Sequence, residues 1–127
     1  MDFNFIASNE LNLDNLNDVE MFINNFPDFQ SVVLDNEGEL ELLLEMMGVA
    51  NYSVHELDGS DFTKYWDISN YKLPEFNEEQ FDQFYSTWIQ KSKRKNNMDE
   101  YGNLIFLQGL TTKWNKLKYR LVTTLIS

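Results

Sequence analysis

Ser53, His55 and Asp58 stand within one short run of the chain. A serine, a histidine and an aspartate are the parts of a nucleophilic hydrolase, in which the imidazole takes the hydroxyl proton and the carboxylate orients the imidazole. The spacing speaks against that reading, because triad members gather in space from distant positions. His55 is the single histidine, hence the one side chain whose ordinary pKa lies near neutrality; it is expected at the surface or half-buried. The chain has 21 acids, so a pair of carboxylates for glycosidase-type work arises by number alone and points to nothing. A small carboxylate-dependent hydrolase is a third reading, and the chain is not expected to be an enzyme.

Metal and phosphate chemistry fare no better. An EF-hand wants glycine at loop position 6 and glutamate at position 12. Counting from Asp35 these are Leu40 and Met46, and from Asp58 they are Thr63 and Ser69. An irregular carboxylate site for a hard cation stays open. There is no cysteine, so there is no disulfide, no thiolate nucleophile and no ordinary zinc ligand set. The glycines, at 38, 48, 59, 102 and 109, are too scattered for a nucleotide-binding loop. No cofactor is expected. Lys91, Lys93, Arg94 and Lys95 form the basic cluster, which complements the negative end of a helix dipole.

The charge distribution is more informative. Residues 1–63 hold fourteen acids and no Lys or Arg; residues 64–127 hold seven acids and ten bases. The net charge is −11. Asp35, Glu37, Glu39, Glu41 and Glu45 crowd the run "LDNEGELELLLEMMG". Such a half repels nucleic acid and anionic membrane and attracts a basic protein. Glu56, Asp58 and Asp61 extend the set, and Tyr65 and Trp66 beside them are residue types that anchor interfaces. These ten residues are the candidate partner-binding surface.

The elements that position them read as follows. Phe3–Ile6 suggests a first strand. Leu16, Val19, Phe22, Ile23 and Phe26 recur at helical spacing after Asp14, and Pro27 stops that helix. Phe29–Leu34 is short and β-branched, a strand. Leu40, Leu43, Leu44 and Met47 make a helical stripe ended by Gly48, although Glu39 to Leu42 also alternates as a hairpin strand would. On the helix, Glu37, Glu41 and Glu45 repel one another by a few tenths of a kcal/mol per pair, so their row is expected in solvent. Asn51–Leu57 alternates weakly as a strand, and Asp58–Asp61 is a turn. Phe62–Phe76, aromatic without a clean period, reads as an ordered loop or short helix. Asn77 and Gln80 match a capping box, ahead of Phe81, Phe84, Tyr85, Trp88 and Ile89 at helical spacing. Gly102–Gly109 reads as a buried strand. The last residues fit either a helix, favoured through Trp114, Leu117, Leu121, Val122 and Leu125, or a strand through Tyr119, Leu121, Thr123 and Leu125.

The expectation is a single compact α+β domain over residues 1–127, with a small, mostly antiparallel sheet packed with three to four helices. No apolar run reaches the roughly 18 residues of a membrane span, and the first residues lack the basic and apolar regions of a secretory signal. A cytoplasmic monomer or small oligomer follows. Fifteen asparagines suit an AT-rich bacterial or phage source. The functional expectation is an acidic module that neutralises a basic partner, such as a toxin immunity protein, an antitoxin or a DNA-mimic inhibitor of a nucleic-acid enzyme. The alternative is an accessory domain or subunit whose acidity serves solubility alone.

Overall fold

A computed structural model of the protein describes residues 1–8, 29–49, 51–56, 62–68, 71 and 75–126. The chain runs β1 (Asp2–Ser8), β2 (Phe29–Val33), α1 (Glu37–Met46), β3 (Tyr52–Glu56), β4 (Phe62–Ile68), α2 (Glu78–Ser92), α3 (Met98–Lys116) and β5 (Arg120–Ile126). The five strands form one sheet of order β2-β1-β5-β4-β3, antiparallel at every pairing. With three helices among the described residues, the fold is α+β. The expected helix around Leu16–Phe26 lies outside the described residues.

Alternation sets the two faces of the sheet. Phe3 and Phe5 sit opposite Leu125 and Thr123 on β5 and opposite Val32 and Gln30 on β2. Trp66 and Ile68 on β4 continue this row through Thr123 and Leu121. Leu40, Leu43 and Leu44 of α1, Phe81, Tyr85 and Trp88 of α2, and Leu104, Leu107 and Trp114 of α3 close over it in one apolar core. The other face is buried at its centre too, where Asn4, Ile6, Val122 and Thr124 are each no more than 2% exposed.

The capping box expected from the sequence is present, and a second cap stands at α1, where the sequence suggested only a turn. Asn36 accepts from the Glu39 amide at α1, and Asn77 and Gln80 form the reciprocal box at α2. Gly48 ends α1 with a φ of 74°, a left-handed geometry that glycine adopts without a Cβ clash.

Three expectations are corrected. Phe62–Ile68 is a strand, not a loop or short helix: Lys64, Trp66 and Ile68 form its inward row, and the lysine hides the alternation. Gly102–Gly109 lies inside helix α3, not in a strand. Asn97 caps α3 by accepting from the Asp99 and Glu100 amides. Leu104, Leu107, Thr111 and Trp114 then fall on one buried stripe. Packing of that stripe outweighs two interior glycines, each costing roughly 1 kcal/mol against alanine. The helix stops at Leu117 and Lys118, the latter at a φ of 58°, so the favoured helical reading of the last residues gives way to strand β5.

Thr123 is fully buried between Phe5 and Trp66, and its hydroxyl has no hydrogen-bond partner among the described residues. Thr123→Val keeps the shape and removes the unpartnered oxygen. Its expected effect is a gain of about 1 kcal/mol, read as a higher urea midpoint with an unchanged slope.

Candidate binding surface

The five acids of the opening run divide into two groups. Asp35, Glu37 and Glu39 meet bases from the second half of the chain. Glu37 Oε1 accepts from Lys64 Nζ at 2.8 Å. This hydrogen bond, with the charges of Glu37 and Glu56, holds the Lys64 ammonium above its ordinary pKa against a smaller effect of burial. Glu39 Oε1 accepts from Arg94 Nη1 at 2.8 Å, and Asp35 Oδ2 lies 3.5 Å from the same nitrogen. The expected free row is therefore partly consumed. Glu39 keeps only 11% of its side chain exposed; it braces the fold and is not a docking group.

Arg94 is the centre of that brace. Helix α2 ends at Lys93, whose left-handed φ of 59° turns the chain so that Arg94 points inward. Its Nε donates to both oxygens of Glu100 at 3.0 and 3.1 Å, and its Nη2 donates to the Val33 carbonyl at 3.3 Å. Trp88 Nε1 also donates to Glu100, at 2.6 Å. One guanidinium thus joins β2, the start of α1, the end of α2 and the start of α3. Burial works against its charge, but the Glu100 hydrogen bond and the charges of Glu100, Glu39 and Asp35 prevail and raise its pKa further. A cavity of about 250 Å³ beside it is lined by Val32, Val33, Asn97 and Asn103, among others.

Glu41 and Glu45 remain exposed on α1, with no ion pair among the described residues. Glu56 is exposed at the end of β3. Asp58 and Asp61 lie outside the described residues. Tyr65 is half-buried and stacks on His55, with ring centroids 4.7 Å apart and planes 15° off parallel. Trp66 is corrected: it is 2% exposed and packs edge-on against Phe3. Its row on β4 faces the helices, so it is a core residue.

Ser53 Oγ lies 2.9 Å from His55 Nε2, but both residues are exposed on β3. That is an open surface pair, with nothing to shield a reacting group from water. Among the described residues no three His, Asp or Glu side chains converge to hold a metal ion, and no helix is long and apolar enough to cross a membrane.

Sequence reasoning found the strand β3 but missed its place as an open edge. All five of its residues are exposed, and it pairs only with β4, at the edge of the sheet. Tyr52 is 39% and Val54 48% exposed. They stand opposite Ile68 and Trp66, on the row that faces the helices elsewhere. The available signal was their alternation with Ser53 and His55; its meaning depends on where the helix layer ends, which spacing does not reveal.

The chain matches no protein-family model, no curated protein and no solved structure among known proteins.

Proposed function

We propose that the chain is a protein-binding module that receives a basic partner along the open edge of β3 and the acidic row of α1. The observation that carries this is the juxtaposition of an exposed edge strand, showing Tyr52 and Val54, with Glu41 and Glu45. Lys64 links the two elements, bonding Glu37 on α1 and sensing the charge of Glu56 on β3. From Glu37 the helix runs away, the chain turns at Gly48, and β3 returns toward Glu56. Glu37 to Glu45 spans about 12 Å at 1.5 Å per residue, and Tyr52 to Glu56 spans about 14 Å at 3.4 Å per residue. The acid row and the strand therefore have similar lengths, and both come to Lys64 at one end, through Glu37 and Glu56.

An open edge strand offers unpaired amides and carbonyls to an added strand. The other edge strand, β2, has Arg94 donating to its Val33 carbonyl. Carboxylates beside β3 would select basic side chains on the incoming segment and speed its approach, while Tyr52 and Val54 supply apolar contact. A nuclease, whose substrate groove is built for phosphates, is a class of basic partner that suits this surface; the chain would then act as its immunity protein or DNA-mimic inhibitor.

The alternative, that acidity serves solubility alone, draws support from Asp35, Glu37 and Glu39, whose charges are met within the chain. The test uses a cationic extended peptide and a basic nuclease as probes. The Glu41→Lys/Glu45→Lys double variant is expected to slow association about tenfold at low salt, with unchanged circular dichroism and a smaller salt dependence. Equal rates for the two proteins would leave only the solubility reading.

A further inference from the structure

Helix α3 is apolar on two opposite sides. Its inner stripe, Leu104, Leu107, Thr111 and Trp114, is buried in the core. Its outer side carries Met98, Gly102, Ile105, Phe106 and Gly109. At about 100° per residue these five fall within one arc about 100° wide. Met98 is 80%, Ile105 43% and Phe106 67% exposed. A helix apolar on both sides is ordinarily covered on both, and large side chains such as these in one continuous strip mark a contact surface.

The glycines sharpen this. A Cβ at Gly102 or Gly109 would meet nothing within 4 Å, and neither residue has a positive φ. Among the described residues nothing requires glycine at these two positions, although each weakens the helix. They stand seven residues apart, on either side of Ile105 and Phe106. Together they make a shallow saddle into which another helix backbone can come close.

We propose that this saddle is the interface of a homodimer, with α3 of a second copy crossing it antiparallel about a two-fold axis at Ile105 and Phe106. The charges of α3 select that occupant and that direction. Asp99 lies exposed in its first turn, where Glu100 is taken up by Arg94, and Lys113 and Lys116 lie exposed in its last. An antiparallel copy sets each acidic turn beside the other's basic turn and opposes the two helix dipoles, whereas a parallel copy would place like charges together. The same axis brings Gly102 of each copy against Gly109 of the other, so the surface is self-complementary, as a two-fold interface must be. This inference is independent of the β3 reading, since it uses a different face.

The test is the mass of the full chain by sedimentation equilibrium from micromolar to near-millimolar concentration, where a reversible dimer is expected. Gly102→Leu fills the saddle without touching the rest of the chain, and Phe106→Glu places a charge at the axis. Each is expected to weaken self-association by about tenfold or more while circular dichroism stays unchanged; Gly102→Leu, which adds a better helix former, is expected to melt no lower than the parent. Direction is read by cross-linking, which the cysteine-free sequence makes clean. A mixture of Gly102→Cys and Gly109→Cys chains should form a mixed disulfide, and neither chain alone should. A monomer at every concentration, a dimer indifferent to both substitutions, or a Gly102→Cys chain that links to itself would each overturn the proposal. The first of these outcomes would leave the face to a partner of another kind.

Discussion

Replacing Arg94 by leucine is expected to lower stability by about 2–4 kcal/mol, somewhat below the 3–5 of a fully buried pair that loses one partner. The discount reflects the 18% of the side chain that remains in solvent. Leucine fills much of the volume, so the loss is electrostatic. Glu39 and Glu100, each with 11% of its side chain exposed, would keep their charges and lose their counter-ion. Glu100 would retain the Trp88 indole donor, and Glu39 the Asp35 amide. Neither supplies a full positive charge. Arg94→Lys is expected to recover only part of the loss, because one ammonium cannot hold both oxygens of Glu100 and also reach Glu39 and the Val33 carbonyl. Urea unfolding measures all of this, and a double-mutant cycle between Arg94 and Glu100 should return a coupling above the roughly 1 kcal/mol ceiling of exposed pairs. A loss under that ceiling for Arg94→Leu would mean that the brace is an ordinary surface contact.

That brace also shows how far the sequence could be read. The cap at Asn77 was legible because a cap is local: the acceptor and the amide it serves lie three residues apart. The stripes of α1 and α2 were legible for the same reason. Helix α3 was not, because its glycines punctuate the sequence like strand ends while its buried stripe prevails only after folding. Strand β4 was obscured by Lys64, an inward-row residue made tolerable by Glu37. The acidic run was plain in composition, yet its fate was not, since the bases that meet Glu37 and Glu39 come from 27 and 55 residues further along the chain.

The sheet order separates the described strands of the base-free half. Its strands β2 and β1 lie at one side of the sheet and its β3 at the other, with β5 and β4 of the base-rich half between them. The two halves are interleaved. Acids of α1 are drawn over strands that carry lysine, and the α2–α3 turn delivers Arg94 to the start of α1. Among the described residues, the acids Asp2, Glu41, Glu45 and Glu56 of that half stay exposed with no ion pair, and Asp35 is exposed beside Arg94. The effect of charge reversal should accordingly depend on position; reversing Asp35, already near Arg94, should slow association less than reversing Glu41.

Trp66 separates the two kinds of residue that composition had grouped together. Trp66→Ala is expected to lower stability by about 3–5 kcal/mol, the usual cost of emptying a buried tryptophan site. The ring is 2% exposed, lies edge-on to Phe3 at 5.6 Å between centroids, and stands in the row of Phe5 and Thr123 on strands that cannot close over a gap without breaking their ladder. Its neighbour in register is the exposed Val54, so the same cross-strand pair spans core and surface. Val54→Ala should therefore do the reverse: stability within about 1 kcal/mol of the parent, as for most surface positions, but faster dissociation of a bound strand. Urea unfolding and binding kinetics on the two variants, at a temperature where both are folded, measure both effects. If Trp66→Ala kept its stability and lost the partner instead, β4 would present that ring to solvent, and the inward row on which the core is built would have to be reversed.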